Sequence, residues 1–108
     1  MRALALGLLL ACSVASAGTL RGNDENCRHL GRVFIQLAGQ RDQGVTLSEM
    51  EQITGADMAE ALGKPDSILQ DQDDVAYVKS KVRELYGKAK DQSPVQVGLS
   101  VFLDCLGK

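Results

Sequence analysis

Two cysteines, Cys27 and Cys105, lie near the two ends of what looks like the mature chain and constrain its fold more than any other feature. If they pair, every residue between them must fold so that the two ends meet. Closing a loop of 78 steps, 105 minus 27, is worth roughly 4.5 kcal/mol in the chain-entropy model. That value is comparable with the whole stability of a small domain, about 5 to 15 kcal/mol. The pair therefore predicts a fold built around one disulfide.

The first residues of the chain have the pattern of a secretory signal peptide. A basic start, Met1-Arg2, precedes an apolar run from Ala3 to Ala11, and small residues follow at Ala15-Ser16-Ala17. The apolar run is about half as long as the roughly 20 residues that span a bilayer. We predict that 1–17 is a signal peptide and that 18–108 is a single domain, exported to an oxidising space where disulfides form.

A second hypothesis for the same segment comes from Leu9-Leu10-Ala11-Cys12, which resembles a lipobox with an acylated cysteine. Only eleven residues precede Cys12, which is short for a lipoprotein leader, so cleavage after Ala17 is favoured. The expected location is the periplasm or the exterior, and a membrane-anchored lipoprotein through Cys12 is the alternative. In both cases Cys12 is lost to the folded domain, which leaves one possible pairing of the other two cysteines.

The charge of the chain argues against nucleic acids and anionic membranes as partners. The formal net charge is −2, and the loss of Arg2 with the leader makes it −3 for the remaining 91 residues. The basic residues form no cluster. Two tyrosines and two phenylalanines are too few for a platform on which bases could stack.

A first helix is predicted by apolar residues that recur at steps of three and four between Cys27 and Ala38. It begins after an N-cap at Asn23 or Asp24 and extends over 24–42, because Gly44 supplies a stop.

A second helical region begins at Thr46-Leu47-Ser48-Glu49, which has the form of a capping box. Met50 and Ile53 share its predicted inward face. Gly55 interrupts the pattern, so the region is either two short helices or one kinked helix that extends to Leu62.

A third helix follows the acidic run 70–74, whose carboxylates favour the positive end of a helix dipole. Its apolar residues recur from Val75 to Tyr86, and Gly87 is the predicted stop. Its outer faces are predicted to hold Lys79, Lys81 and Arg83.

The last element contains two conflicting signals. Alternating apolar residues from Val95 to Val101 are typical of a strand, whereas Ser93-Pro94 is a helix start. We predict a helix over 95–106, which Gly98 weakens by about 0.5 to 1 kcal/mol relative to alanine. The predicted fold is all-α, a small bundle of four to five helices closed by one disulfide between the first and last helices.

No pattern in the sequence indicates catalysis. The only histidine, His29, lies about 200° around a helix from Cys27, so the two cannot form a catalytic pair. A calcium loop opening at Asp71 would need Gly and Glu where the chain has Ala76 and Val82. We therefore expect no enzyme, no metal and no cofactor, and an enzyme that relies on carboxylates alone is the alternative.

Val33, Ile35 and Tyr77 are apolar residues that lie off the main stripe of their helices. Either they pack a second helix face, as in many small helical domains, or they form an exposed patch that binds a partner. They are the candidate partner surface of the sequence.

The chain resembles small exported proteobacterial helical proteins with two cysteines, most of them uncharacterised. The resemblance rests on Cys27, Leu85-Tyr86, Ser93-Pro94 and Phe102-Leu103-Asp104-Cys105. The outline of a signal peptide and a helical domain with two cysteines is similar to that of HdeA-like acid-stress chaperones and of periplasmic immunity proteins that block peptidoglycan amidases. The expected function is binding of another protein in the bacterial envelope. The alternatives are an acid-stress periplasmic chaperone and an immunity or inhibitor protein against a cell-wall hydrolase.

Overall fold

A computed structural model describes residues 20–107, and the predictions made for 1–17, Cys12 included, lie outside that range. Over these residues the chain forms four helices and no strand. They are α1 (Asp24–Asp42), α2 (Leu47–Ala61), α3 (Gln72–Glu84) and α4 (Pro94–Leu106). The all-α class is confirmed, and so is the helical interpretation of the last element.

The helices pack as two pairs, α1 with α4 and α2 with α3, whereas α1 and α2 touch each other much less. Cys27 and Cys105 form a disulfide between α1 and α4, with their Cα atoms 5.5 Å apart and both residues buried. Leu20 is also fully buried, and the amide of Gly22 donates to the carbonyl of Cys105 at 2.8 Å. The predicted link between the first and last helices is therefore confirmed.

Two glycines allow α1 and α4 to approach closely. A Cβ atom placed on Gly98 would lie 2.8 Å from the carbonyl oxygen of Gly31 and would also clash with Cγ1 of Ile35. A Cβ on Gly31 would lie 2.9 Å from the carbonyl oxygen of Gly98. The glycine that weakens α4 as an isolated helix is thus the residue that lets the two backbones meet.

The predicted helix starts are confirmed at atomic detail. Asn23, Thr46 and Ser93 are N-caps, and each side-chain oxygen accepts a hydrogen bond from the backbone amide three residues later. Thr46 and Ser93 also form capping boxes, with the side chains of Glu49 and Gln96 reaching back to the cap amides. Each cap satisfies an amide that would otherwise lack a partner, which is worth about 0.5 to 2 kcal/mol.

The second region is one continuous helix, which decides between the two interpretations of 47–62. Its buried residues are Met50, Thr54 and Met58, at steps of four. Ile53, predicted to face inward, is instead 50% exposed. The reason is that α2 packs through one narrow stripe, and Ile53 lies about 100° away from the middle of that stripe.

The acidic run before α3 is a helix start, as predicted, but it is not simply solvated. Asp71 is the N-cap and accepts the amide of Asp74. Asp74 is buried, and its carboxylate accepts the amide of Gln70 at 3.0 Å. Both carboxylates therefore satisfy backbone amides at the beginning of the helix.

Two predictions about the end of α3 are wrong. The helix ends at Glu84 rather than near Gly87, and the chain forms turns from Leu85 onward. Gly87 does not adopt the left-handed conformation of a glycine that ends a helix. Lys81, expected on an outer face, has a side chain only 11% exposed. Its ammonium group is held between the carboxylates of Glu84 and Asp104, at 3.3 and 2.9 Å.

One arginine holds the connection between α3 and α4. The guanidinium of Arg41, 8% exposed, donates to the carbonyl oxygens of Leu85 and Ala89, both at 3.1 Å, and of Gln92, at 2.7 Å. The last turn of α1 is thereby tied to the 85–92 connection. The carbonyl of Ala89 also accepts the amide of Gln92 at 3.0 Å. Those of Leu85 and Gln92 lie outside the helices, and the arginine supplies donors to them.

Candidate binding surfaces

The exposed face of α4 carries a row of apolar side chains. Val95, Leu99 and Leu103 are 68%, 56% and 38% exposed, and they follow one another at steps of four. Phe102 and Leu106 are half-buried at the border of the same sector. We call the row Val95, Leu99 and Leu103 the α4 stripe. Single exposed apolar residues are ordinary, but a continuous row of them is informative.

The α4 stripe is separate from the face that builds the core. Val97, Gly98, Val101 and Cys105 are the buried residues of α4, and they pack against α1. At 100° per residue, the stripe lies roughly 90 to 180° around the helix from that face. The apolar surface of α4 is therefore much wider than the face that packs against other residues within 20–107.

The sequence of α4 around the stripe carries little charge. No Asp, Glu, Lys or Arg occurs in 92–103, and Asp104 is the only charged residue of α4. Ile35 of α1, 37% exposed, lies against Gly98 and extends the apolar surface towards α1. Depletion of charge around an apolar centre is the composition of a protein interface core.

A groove opens between the two helix pairs. It has a volume of about 720 Å³ and is lined by α1, by the second half of α2 and by the 64–69 connection. Its apolar lining includes the half-buried residues Val33, Ala61 and Ile68. The volume lies within the range of ligand pockets, about 300 to 1,000 Å³.

A polar cluster joins α3 to α4. The hydroxyl of Tyr77 donates to Asp104, and the guanidinium carbon of Arg21 lies 4.7 Å from the centre of the Tyr77 ring. The pKa of Asp104 is held below its usual value by the Tyr77 hydrogen bond first and by Lys81 second. The pKa of Tyr77 is raised, mainly by burial and then by the bond to Asp104. The cluster stabilises the ionised form of Asp104.

The candidate partner residues do not form one surface. Val33 lines the groove, Ile35 packs over Gly98 beside α4, and Tyr77 belongs to the polar cluster. Val33 and Ile35 point to nearly opposite sides of α1, since two positions correspond to about 200°. His29 is exposed at the rim of the groove.

Within residues 20–107 no group of three His, Cys, Asp or Glu side chains is placed to hold a metal ion. None of the four described helices is long and apolar enough to cross a membrane. Comparison of the chain with protein-family models, curated proteins and solved structures finds no match. A functional proposal therefore rests on the geometry of the chain itself.

Sequence reasoning missed the α4 stripe because it treated 95–101 only as a choice between strand and helix. Once a helix is accepted, its single charge, Asp104, is a signal that more than one face of α4 is apolar. Arg41 had no such signal. Its partners are backbone carbonyls 44 to 51 residues away, and no side-chain pattern marks them.

Proposed function

We propose that this chain is an exported, non-catalytic protein that acts by binding another protein through the α4 stripe. The observation that carries the proposal is the exposed row of Val95, Leu99 and Leu103, on a helix whose one charged residue is Asp104. Export is supported by the signal-like pattern of 1–17 and by the disulfide.

The exposed side chains of the stripe can still gain free energy by being buried against a partner. Burying a Val or Leu side chain fully is worth about 1.5 to 3 kcal/mol. Val95 and Leu99 are more than half exposed, so over half of that free energy is available to a partner. The disulfide-linked α1–α4 pair holds the stripe on a rigid support, which lowers the ordering cost of association.

The experiment is site-specific photo-cross-linking in cells that export the protein. A photoreactive residue at position 99 reports on the stripe, and the same residue at position 53 is the control. Ile53 is a matched site because it is also an exposed aliphatic residue on a helix, at 50% against 56% for Leu99. We expect a discrete protein adduct from position 99 and none from position 53.

The identity and pattern of the adduct decide between the functional hypotheses. A cell-wall hydrolase in the adduct would specify an immunity role. Failure to obtain a discrete adduct at position 99, together with turnover of an envelope substrate by the purified protein, would contradict the proposal and favour an enzyme.

An acid-stress chaperone is the second candidate, and the Asp104 cluster is the observation that favours it. Protonation of Asp104 in acid removes its charge attraction to Lys81 and weakens its bond from Tyr77. Because these bonds join α3 to α4, their loss would expose apolar surface between the two helices. Binding of a hydrophobic dye and oligomeric state, measured from neutral pH to about pH 2, test this candidate. The chaperone candidate requires both the dye binding and the oligomeric state to change as the pH falls.

A further inference from the structure

The groove between the helix pairs has a length and a shape that suit a helical segment. Along α1 it extends from Glu25 to Leu37. Twelve steps at 1.5 Å each give about 18 Å, the length of a helix of about twelve residues. Its lining combines apolar side chains with exposed charged ones, and such a combination suits an amphipathic helix.

The charges around the groove are not balanced. Glu60 and Lys64, four positions apart, form an ion pair at 3.9 Å. Glu25, Asp57 and Asp66 also line the groove and make no ion pair among the described residues, whereas Arg32 is the one unpaired cation there. The unpaired charges thus leave an excess of two negative charges facing a ligand.

We infer that this groove binds a cationic amphipathic segment of another protein, with apolar side chains on Val33, Ala61 and Ile68 and lysine or arginine side chains at the acidic rim. The apolar residues that line the groove require an apolar face in the ligand. The carboxylates of Glu25, Asp57 and Asp66 require positive charge beside that face. The site is distinct from the α4 stripe, so it stands or falls independently of the proposed function.

The test uses synthetic peptides of about twelve residues. The probe contains leucine and lysine, with leucine spaced at three and four so that one helix face is apolar. One control has glutamate in place of lysine, and a second has the leucine and lysine in scrambled order. Binding is measured by fluorescence anisotropy at about 0.15 M salt, where exposed charges are partly screened. We expect binding of the first peptide and little binding of either control.

Two double variants with the same change of net charge locate the site. Asp57→Asn with Asp66→Asn removes two rim carboxylates, and we expect about five- to tenfold weaker binding. Asp73→Asn with Asp91→Asn removes two exposed carboxylates that do not line the groove, and binding should be unchanged. A Leu99→Gln variant on the α4 stripe should also bind the peptide normally.

The only histidine of the chain offers a direct report on occupancy. His29 lines the groove, whereas Tyr77 and Tyr86 do not. A leucine and lysine peptide has no aromatic proton signals, so the His29 ring protons can be followed by NMR during titration. We expect the His29 signals to shift while the Tyr86 signals stay in place. Equal binding of the lysine and glutamate peptides, equal weakening by the two double variants, or unshifted His29 signals would each overturn the inference.

Discussion

Arg41 shows at the residue scale how one side chain holds a connection that the helices do not. Its guanidinium donates to three carbonyl oxygens of the 85–92 segment through a planar group that lysine lacks. We predict that Arg41→Lys lowers the free energy of unfolding by about 1 to 3 kcal/mol although it keeps the charge. Urea denaturation measures the change. Equal midpoints for Arg41→Lys and the parent chain would show that the charge alone suffices.

Gly98 is a second residue whose role depends on its neighbour across the interface. Alanine at this position gains helix propensity, worth about 0.5 to 1 kcal/mol, but its Cβ would lie 2.8 Å from the carbonyl oxygen of Gly31. Backbone cannot move aside as a flexible side chain can, so we predict net destabilisation by about 1 to 3 kcal/mol.

Gly55→Ala is the matched control for Gly98→Ala. It lies inside α2, and a Cβ there would meet nothing within 4 Å. Gly55→Ala should therefore raise the thermal midpoint, whereas Gly98→Ala should lower it. Two shifts of the same sign would contradict the close approach of α1 and α4.

At the scale of elements, Asp104 links α3 to α4 in a way that depends on pH. Because its pKa is lowered in the folded chain, its contribution to stability is complete above the ordinary aspartate value of about 4. The contribution is lost as the pH falls through the lowered value. We predict that Asp104→Asn loses less stability between pH 7 and pH 3 than the parent chain does, measured by urea unfolding at each pH.

Asp91→Asn serves as the control for this pH dependence. Asp91 is exposed and makes no ion pair within residues 20–107, so its removal should leave the parent pH dependence in place. If Asp104→Asn and Asp91→Asn retain the same pH dependence, the link between α3 and α4 does not act through Asp104.

The elements themselves were largely predictable, because their starts depend on local chemistry. The side chains of Asn23, Thr46 and Ser93 bond amides three residues away, and such spacing is visible in sequence. The end of α3 and the exposure of Ile53 could not be predicted from the sequence, because each depends on which helix packs alongside. Of the candidate surfaces, sequence marked Val33 as an apolar residue off the main stripe of its helix but could not assign it to a groove made by distant segments.

At the scale of the whole molecule, the disulfide connects the first and last of the described helices. Because α1 and α4 also pack through Gly31 and Gly98, reduction should loosen the fold without abolishing the helices at low temperature. We predict that Cys27→Ala with Cys105→Ala lowers the free energy of unfolding by about 2 to 5 kcal/mol. Thermal unfolding followed by circular dichroism measures this. An unchanged midpoint would mean that packing alone holds the ends together.

We propose that the α4 stripe binds a partner and is not needed for the fold. The most direct measurement is the yield of photo-cross-linked adduct from position 103 in a chain carrying Val95→Gln and Leu99→Gln, compared with a chain carrying Ile53→Gln. We predict that the double variant keeps the parent melting temperature and loses the adduct, because its altered side chains are exposed at 68% and 56%. The Ile53→Gln chain should keep both the parent melting temperature and the adduct. An undiminished adduct in the double variant, or its unfolding, would contradict the claim.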